Sequence, residues 1–252
     1  MRVTSCGITD VGMKRANNED NYLINDELSL FVVCDGMGGH VGGEFASAIA
    51  VNTVEEVLAS IEADPDSMPD REEDSVEHTR EKLRYAVRLA GKRIFEKAAA
   101  DPEFKGMGTT VVVLLIDAGN VFIGHVGDSR AYRIREGRIE QLTEDHSLVN
   151  EKIKAGLITE EEAATHRMRN IITRSLGFQE EVEIDLQVHA IQSGDRYLLC
   201  SDGLSGLVSG EEIGESVWTQ GPQSAARNLI SLACERGGDD NVTTVVVRID
   251  EA

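Results

Sequence analysis

The chain has no run approaching the roughly 20 apolar residues that a membrane-spanning helix needs, and no basic leader precedes an apolar core. A soluble, cytoplasmic protein with no membrane contact is the expectation. Cysteine is sparse: Cys6, Cys34, Cys200 and Cys234 are scattered and form no C-x-x-C pair. A disulfide framework or a thiolate zinc site is not expected, and a reducing compartment fits. Cys34 and Cys200 lie inside apolar runs and read as small core residues. Positive charge is also short, 25 Lys and Arg against 45 Asp and Glu, for a formal net charge of −20. Nucleic acid is excluded as a partner on this ground, because binding it rests on cations neutralising phosphates. No EF-hand loop is present, which weighs against a generic calcium-binding protein.

What the chain does have is apolar content of 41 % over 252 residues, enough for one large domain with a full core. Residues 1–252 are read as a single domain. Strands are expected over 2–10 and 21–34, separated by a polar turn from Lys14 to Asp20. A glycine-rich stretch follows, and apolar spacing predicts a helix from about Glu44 through Leu58. The segment Ile61–Thr79 is acidic, contains Pro65 and Pro69, and reads as a surface loop or poorly ordered insert. A second helix is expected over about 80–100. Strands at 109–117 and 121–126 flank Ala118-Gly119-Asn120, and strands at 131–135 and 138–142 flank Glu136-Gly137; both are hairpin signals. Residues 146–177 turn helical and then basic. Further strands are expected at 182–190, 196–200 and 243–249, with helices near 210–220 and 223–235. Strands in antiparallel clusters and helices in pairs do not follow the β-α-β rhythm of a doubly wound sheet. The fold class expected is α+β, two packed antiparallel sheets with helix pairs outside.

Five aspartates carry the chemistry: Asp20, Asp35, Asp128, Asp202 and Asp240. Asp35, Asp128 and Asp202 each follow a short apolar run and precede Gly or Ser. Carboxylates desolvated together are costly, and a divalent cation is the usual remedy. Asp35-Gly36 and Asp202-Gly203 resemble hairpin turns, yet neither is followed by an alternating strand; each runs into small residues and then a helix. At such a glycine the backbone can come close to an ion and offer its carbonyl. Asp239-Asp240-Asn241 reads as an Asx-type turn or as another ligand segment. Oxygen ligands without Cys or paired His point to Mg2+ or Mn2+. Arg15 is ordinary on a surface, but beside an acidic metal centre a guanidinium can grip a phosphate with two parallel hydrogen bonds.

Six motifs occur in order: Arg15 with Asn18-Glu19-Asp20; Val33-Cys34-Asp35-Gly36-Met37-Gly38-Gly39-His40; Gly108-Thr109-Thr110; Gly127-Asp128-Ser129-Arg130; Ser201-Asp202-Gly203-Leu204; and Asp239-Asp240-Asn241-Val242-Thr243. Together they resemble the metal-dependent serine/threonine protein phosphatases of type 2C (the PPM family), in the compact bacterial form. The resemblance runs from about Gly7 to Ile249. It implies a four-layer α-β-β-α sandwich with two to three Mn2+ or Mg2+ ions in a channel between the sheets. It implies that Asp35 bridges two ions, that Gly36 gives one its carbonyl, and that Asp202 and Asp240 hold the other. It also implies that Asp20 and Glu19 act mainly through metal-bound water, that Asp128 helps Asp202 hold a third, weaker ion, and that Asn241 orients the last ligand or the nucleophilic water.

The reaction implied is hydrolysis of phosphoserine and phosphothreonine on proteins by a metal-bridging hydroxide, with Arg15 holding the phosphoryl oxygens. Ser129 and Ser201 neighbour the aspartates without a Ser-His-Asp setting. The leaving oxygen needs a proton; Met37 stands where animal members have His, which leaves His40 or a metal-bound water as the acid. Residues 146–177 resemble the family's flap, with Arg167 in place of the usual Pro after His166. Either they only pack, or Arg167, Arg169 or Arg174 faces the phosphopeptide or the third metal. His78, His125 and His189 read as structural or exposed. Phosphorylated proteins, Ser/Thr kinases and their substrates are the expected partners of a monomer. A phosphatase dedicated to one regulator and a pseudo-enzyme that sequesters phosphoproteins are the rivals; intact Arg15, Asp35, Asp202 and Asp240 weigh against the second.

Overall fold

The computed structural model describes residues 2–38, 42–64 and 75–251. Two antiparallel sheets lie face to face. One has the order β1 (Arg2–Asp10), β11 (Val242–Glu251), β10 (Arg196–Cys200), β7 (Arg130–Arg135), β8 (Arg138–Gln141). The other runs β2 (Asp20–Asn25), β3 (Leu30–Met37), β5 (Val111–Asp117), β6 (Asn120–Val126), β9 (Asp185–Ala190), with the short β4 (Gly108–Thr109) pairing on the end of β3.

The central strands are apolar on both faces because both faces are covered. Along β3, Leu30, Val32 and Cys34 point to one buried cluster and Phe31 and Val33 to another. The first cluster is closed by α1 (Gly42–Ala63) and α2 (Ser75–Ala100), through Ala46, Ala50, Val54, Leu83, Val87 and Ile94. The second lies between the sheets, where Phe31, Val112, Leu114 and Ile123 meet Tyr197, Leu199, Val245 and Val247. A third cluster sits outside the other sheet, where Leu198, Cys200 and Val246 meet α6 (Gly210–Thr219) and α7 (Pro222–Glu235) through Ile213, Val217, Leu229 and Ala233. Three buried interfaces make four layers, as the resemblance implied.

Several boundaries differ from the sequence reading. Residues 21–34 are not one strand but a hairpin, turning at 26–29 with Ser29 in the left-handed region (φ 50°). Its Leu28 packs against the core and so lengthened the apolar run. Helix α1 extends to Ala63 and α2 begins at Ser75, so the acidic insert is helical at both flanks; residues 65–74 lie outside the described residues. A short α5 (Asp202–Ser205), missed in the sequence, begins at an aspartate of the site. The other two hairpins fall where Ala118-Gly119 and Glu136-Gly137 placed them, all four residues with positive φ. The segment 146–177 holds only two short helices, α3 (Leu148–Lys154) and α4 (Glu160–Ala164).

Candidate metal and phosphate site

The antiparallel ladders bring all five aspartates to one end of the sandwich. Asp20 opens β2 and pairs with Asp35 near the end of β3. Asp128 follows β6, Asp202 follows β10, and Asp240 precedes β11. Residues 200 and 244 are partners across β10 and β11, so the last two carboxylates leave the same edge. Asp35, Asp128, Asp202 and Asp240 line a cleft of about 570 Å³ together with Arg15, Glu19, Gly36 and Asn241.

Asp20 joins the sheets. Its Oδ2 accepts from Ser201 Oγ at 2.8 Å and Thr243 Oγ1 at 2.7 Å. Burial raises its pKa to about 7, those two hydrogen bonds oppose the rise, and Asp202 and Asp240 add to it. Asp128, also buried, is raised to about 7 by burial and then by Asp202. Asp35 and Asp202 are raised by burial first; Asp20 then repels Asp35 and Asp240 repels Asp202. Both keep a partly open surface toward the cleft.

Among the described residues, the neighbouring cations do not balance this charge. Arg130 is bound bidentately to Asp145 at 2.9 and 2.6 Å. Arg15 Nη2 donates to Asp240 Oδ2 at 2.7 Å and leaves about half its side chain exposed. The Asp128 Oδ1 atom is buried with no hydrogen-bond partner. A cluster of oxygen donors with an orphaned carboxylate oxygen and too few counter-charges fits hard divalent cations.

The surrounding chain holds these groups in place. Asn241 Oδ1 accepts from Glu19 N at 2.8 Å, while its Nδ2 donates to the carbonyls of Val11 and Asn17, both at 2.9 Å. Asn241 therefore fixes the 11–19 loop. Gly36 is required by packing as well as by any ligand: a Cβ there would overlap the carbonyl oxygens of Gly43 and Glu19. Glu19 lines the cleft with its pKa raised by burial. Ser129 Oγ lies 2.7 Å from Thr110 Oγ1, which in turn accepts from Asp35 N at 2.9 Å. Ser129 and Ser201 are thus engaged in supporting bonds, with no imidazole beside either in those contacts.

His40 lies outside the described residues. Of the flap arginines, Arg174 lines the same cleft as the aspartates, Arg169 lines an adjoining one, and Arg167 lines neither. Arg174 is held by Asp185 at 3.0 Å and Glu183 at 3.5 Å.

The sequence reading missed one cluster. His125, His146 and Asp185 offer ligand atoms within 4.8 Å of one another. The imidazoles stack at 4.7 Å with only 17° between their planes, and one ion cannot lie in two parallel ring planes. His146 Nδ1 accepts from Gly127 N at 3.1 Å, and Arg174 also reaches its Nε2 at 3.3 Å. The cluster ties β6 and β9 to the flap, and His125, expected to be structural or exposed, is buried in it. No spacing in the chain signals it, because its members lie 21 to 60 positions apart and unite only in the fold.

Relatives carry the same architecture. The family described as Protein phosphatase 2C matches residues 13–230. Protein phosphatase PhpP of Streptococcus pneumoniae is 38 % identical over 248 residues, covering 97 % of this chain and 96 % of that protein. The crystal structure of the Mycobacterium tuberculosis serine/threonine phosphatase PstP/Ppp superposes with a TM-score of 0.87 at 36 % identity, covering 99 % of each chain. The catalytic domain of the serine threonine protein phosphatase PstP, in complex with 2 manganese ions, superposes at 0.83 with 37 % identity, again over 99 % of each chain. With a match over most of its length and an aspartate-lined cleft between paired sheets, this chain belongs to the protein phosphatase 2C family and is a protein phosphatase.

Proposed function

We propose that this chain is a Mn2+- or Mg2+-dependent serine/threonine protein phosphatase that works through Asp35, Asp202, Asp240, Asp128 and the Gly36 carbonyl as ion ligands. Asp20 and Glu19 stand behind them and Arg15 holds the phosphate. The observation that carries this reading is the gathering of Asp35, Asp128 and Asp202 in one cleft with raised pKa values and an orphaned Asp128 oxygen.

When bound, two or three such ions supply Lewis acidity toward the phosphoryl group and an activated water. The chain's own residues do the rest. Arg15, half exposed at the cleft, swings its guanidinium from Asp240 to the phosphoryl oxygens, where a planar fork can bind two of them. Asp20, clamped by Ser201 and Thr243, keeps the two sheet ends in register. Asn241 holds the loop that carries Arg15 and Glu19. Nothing in the chain need act as a nucleophile, since the two neighbouring serines are engaged elsewhere. His40 or a bound water protonates the leaving seryl or threonyl oxygen.

Residues 1–252 act as one catalytic domain with a flap at about 146–177. No helix among the described residues is long and apolar enough to cross a membrane. We assign the protein to the cytoplasm as a monomer that acts on phosphorylated proteins, Ser/Thr kinases and their substrates among them. The test is hydrolysis of p-nitrophenyl phosphate and a phosphothreonyl peptide by chelator-stripped protein, with Mn2+, Mg2+ or Ca2+ restored separately. Turnover with Mn2+ or Mg2+ that Asp202→Ala lowers by about 100-fold or more is expected, since even outer partners of metal ligands are worth 10–100-fold. Tight metal binding without turnover would establish the pseudo-enzyme instead.

A further inference from the structure

We propose that Phe178 is a specificity-determining residue: its ring receives an apolar side chain adjacent to the phosphorylated residue of the substrate. The inference rests on the protein-phosphatase reading of the cleft. The cleft's lining holds two kinds of residue: Arg15 with four aspartates, and the apolar Met37, Ile172, Phe178 and Val182. A site that only neutralised and hydrolysed phosphate would have no use for the second.

Phe178 is 56 % exposed. Of the large hydrophobic residues exposed among the described ones, it is the one that lines the catalytic cleft. Its position is fixed. Leu176, fully buried, exchanges two backbone hydrogen bonds with Thr109, at 3.1 and 2.9 Å. Two residues on, the ring lies against the bare backbone of Gly108, where an added Cβ would stand 2.7 Å from Phe178 Cε2. Gly108 thus makes the seat, and any side chain there would push the ring away. The Cδ2 and Cε2 atoms of the ring rest on Gly108, while more than half of the residue stays exposed in the cleft lining. An anchored, exposed aromatic gives large contact area at little entropic cost, which is how recognition surfaces use such residues.

The occupant follows from what surrounds the ring. Ile172 and Val182 share this lining with the ring, Gln179 is neutral, and Arg174 in the same lining is held by Asp185 and Glu183. The phosphorylated residue is held through its phosphoryl group by Arg15 and the aspartate centre, so the side chain that reaches Phe178 belongs to a neighbour in the substrate sequence. Aliphatic residues gain most there from leaving water.

The test uses the full chain with Mn2+ and phosphothreonyl peptides that differ only in the residue before or after the phosphothreonine, set to Gly, Leu or Glu. Wild type, Phe178→Ser and Phe178→Leu are compared by the ratio of kcat/KM between peptides within each protein, which cancels losses of folded enzyme. Wild type is expected to favour the Leu peptide over the Gly peptide by about fivefold at one of the two positions, mainly through KM. Phe178→Ser should bring that ratio to about one and Phe178→Leu should restore part of it. An unchanged ratio in Phe178→Ser, or a wild-type ratio near one at both positions, overturns the proposal. Hydrolysis of no peptide by wild type would instead remove the phosphatase reading, and this inference with it.

Discussion

Asp20 in the six-stranded sheet accepts a hydrogen bond from Ser201, which follows a strand of the five-stranded sheet, at 2.8 Å. The bond ties the two halves of the sandwich together beside the ion ligands, with Thr243 as a second donor to the same oxygen. Ser201→Ala should leave the protein folded and weaken Mn2+ binding by about 10–100-fold, the usual effect of removing a partner behind a metal site. Calorimetric titration of Mn2+ into chelator-stripped protein reads this directly. Unchanged affinity would mean the bond serves the fold alone.

The pH dependence of the metal-free protein has a definite sign. Asp20 and Asp128 are raised to about 7, so each binds its proton more tightly folded than unfolded. Their contribution to stability is present below the unfolded value near 4 and is lost as pH rises through about 7. Asp20→Asn removes one such group. Without metal, the variant should gain a few °C in Tm relative to wild type between pH 5 and pH 7.5. Thermal scans in chelator that gave a constant difference would contradict the assignment.

Away from the site, Asp195 is fully buried and accepts two hydrogen bonds from Arg135, each 2.6 Å, with further bonds from Gln192 N and Tyr197. Burial acts to raise its pKa, but these partners prevail and hold it below the usual value. Asp195→Ala strands a partly buried guanidinium and should cost about 2–4 kcal/mol, discounted for the exposure of Arg135. Urea unfolding of metal-loaded protein measures it. The wild-type contribution is itself lost as pH falls below about 4.

Gly36→Ala drives a methyl group into the Gly43 and Glu19 carbonyls. Overpacking of this kind costs about 1–3 kcal/mol. Because the displaced strand end carries Asp35, metal affinity should fall together with stability. A variant of normal stability and normal Mn2+ affinity would show that the backbone has room to move.

Much of the site was legible because its chemistry is carried by short local motifs. A hydrophobic strand that ends in Asp-Gly announces itself whatever lies beside it, and Asp35 and Asp202 were readable for that reason. The layering was legible in the unbroken apolar runs of β3, β5 and β10, since only strands covered on both faces need them. The 26–29 turn was hidden by Leu28, which is apolar although it sits in a turn. Helix α5 was hidden because four residues give no periodicity to read.

The sequence alone determined the layers and the carboxylates at the strand ends, since both depend on alternation and on neighbours along the chain. Tertiary structure decided what those groups face. It placed Ser201 and Thr243 on Asp20, Asp185 and Arg174 on His146, and the Phe178 ring on Gly108. Those contacts join residues far apart in the chain, and only packing of the sheets and the flap fixes the distances between them.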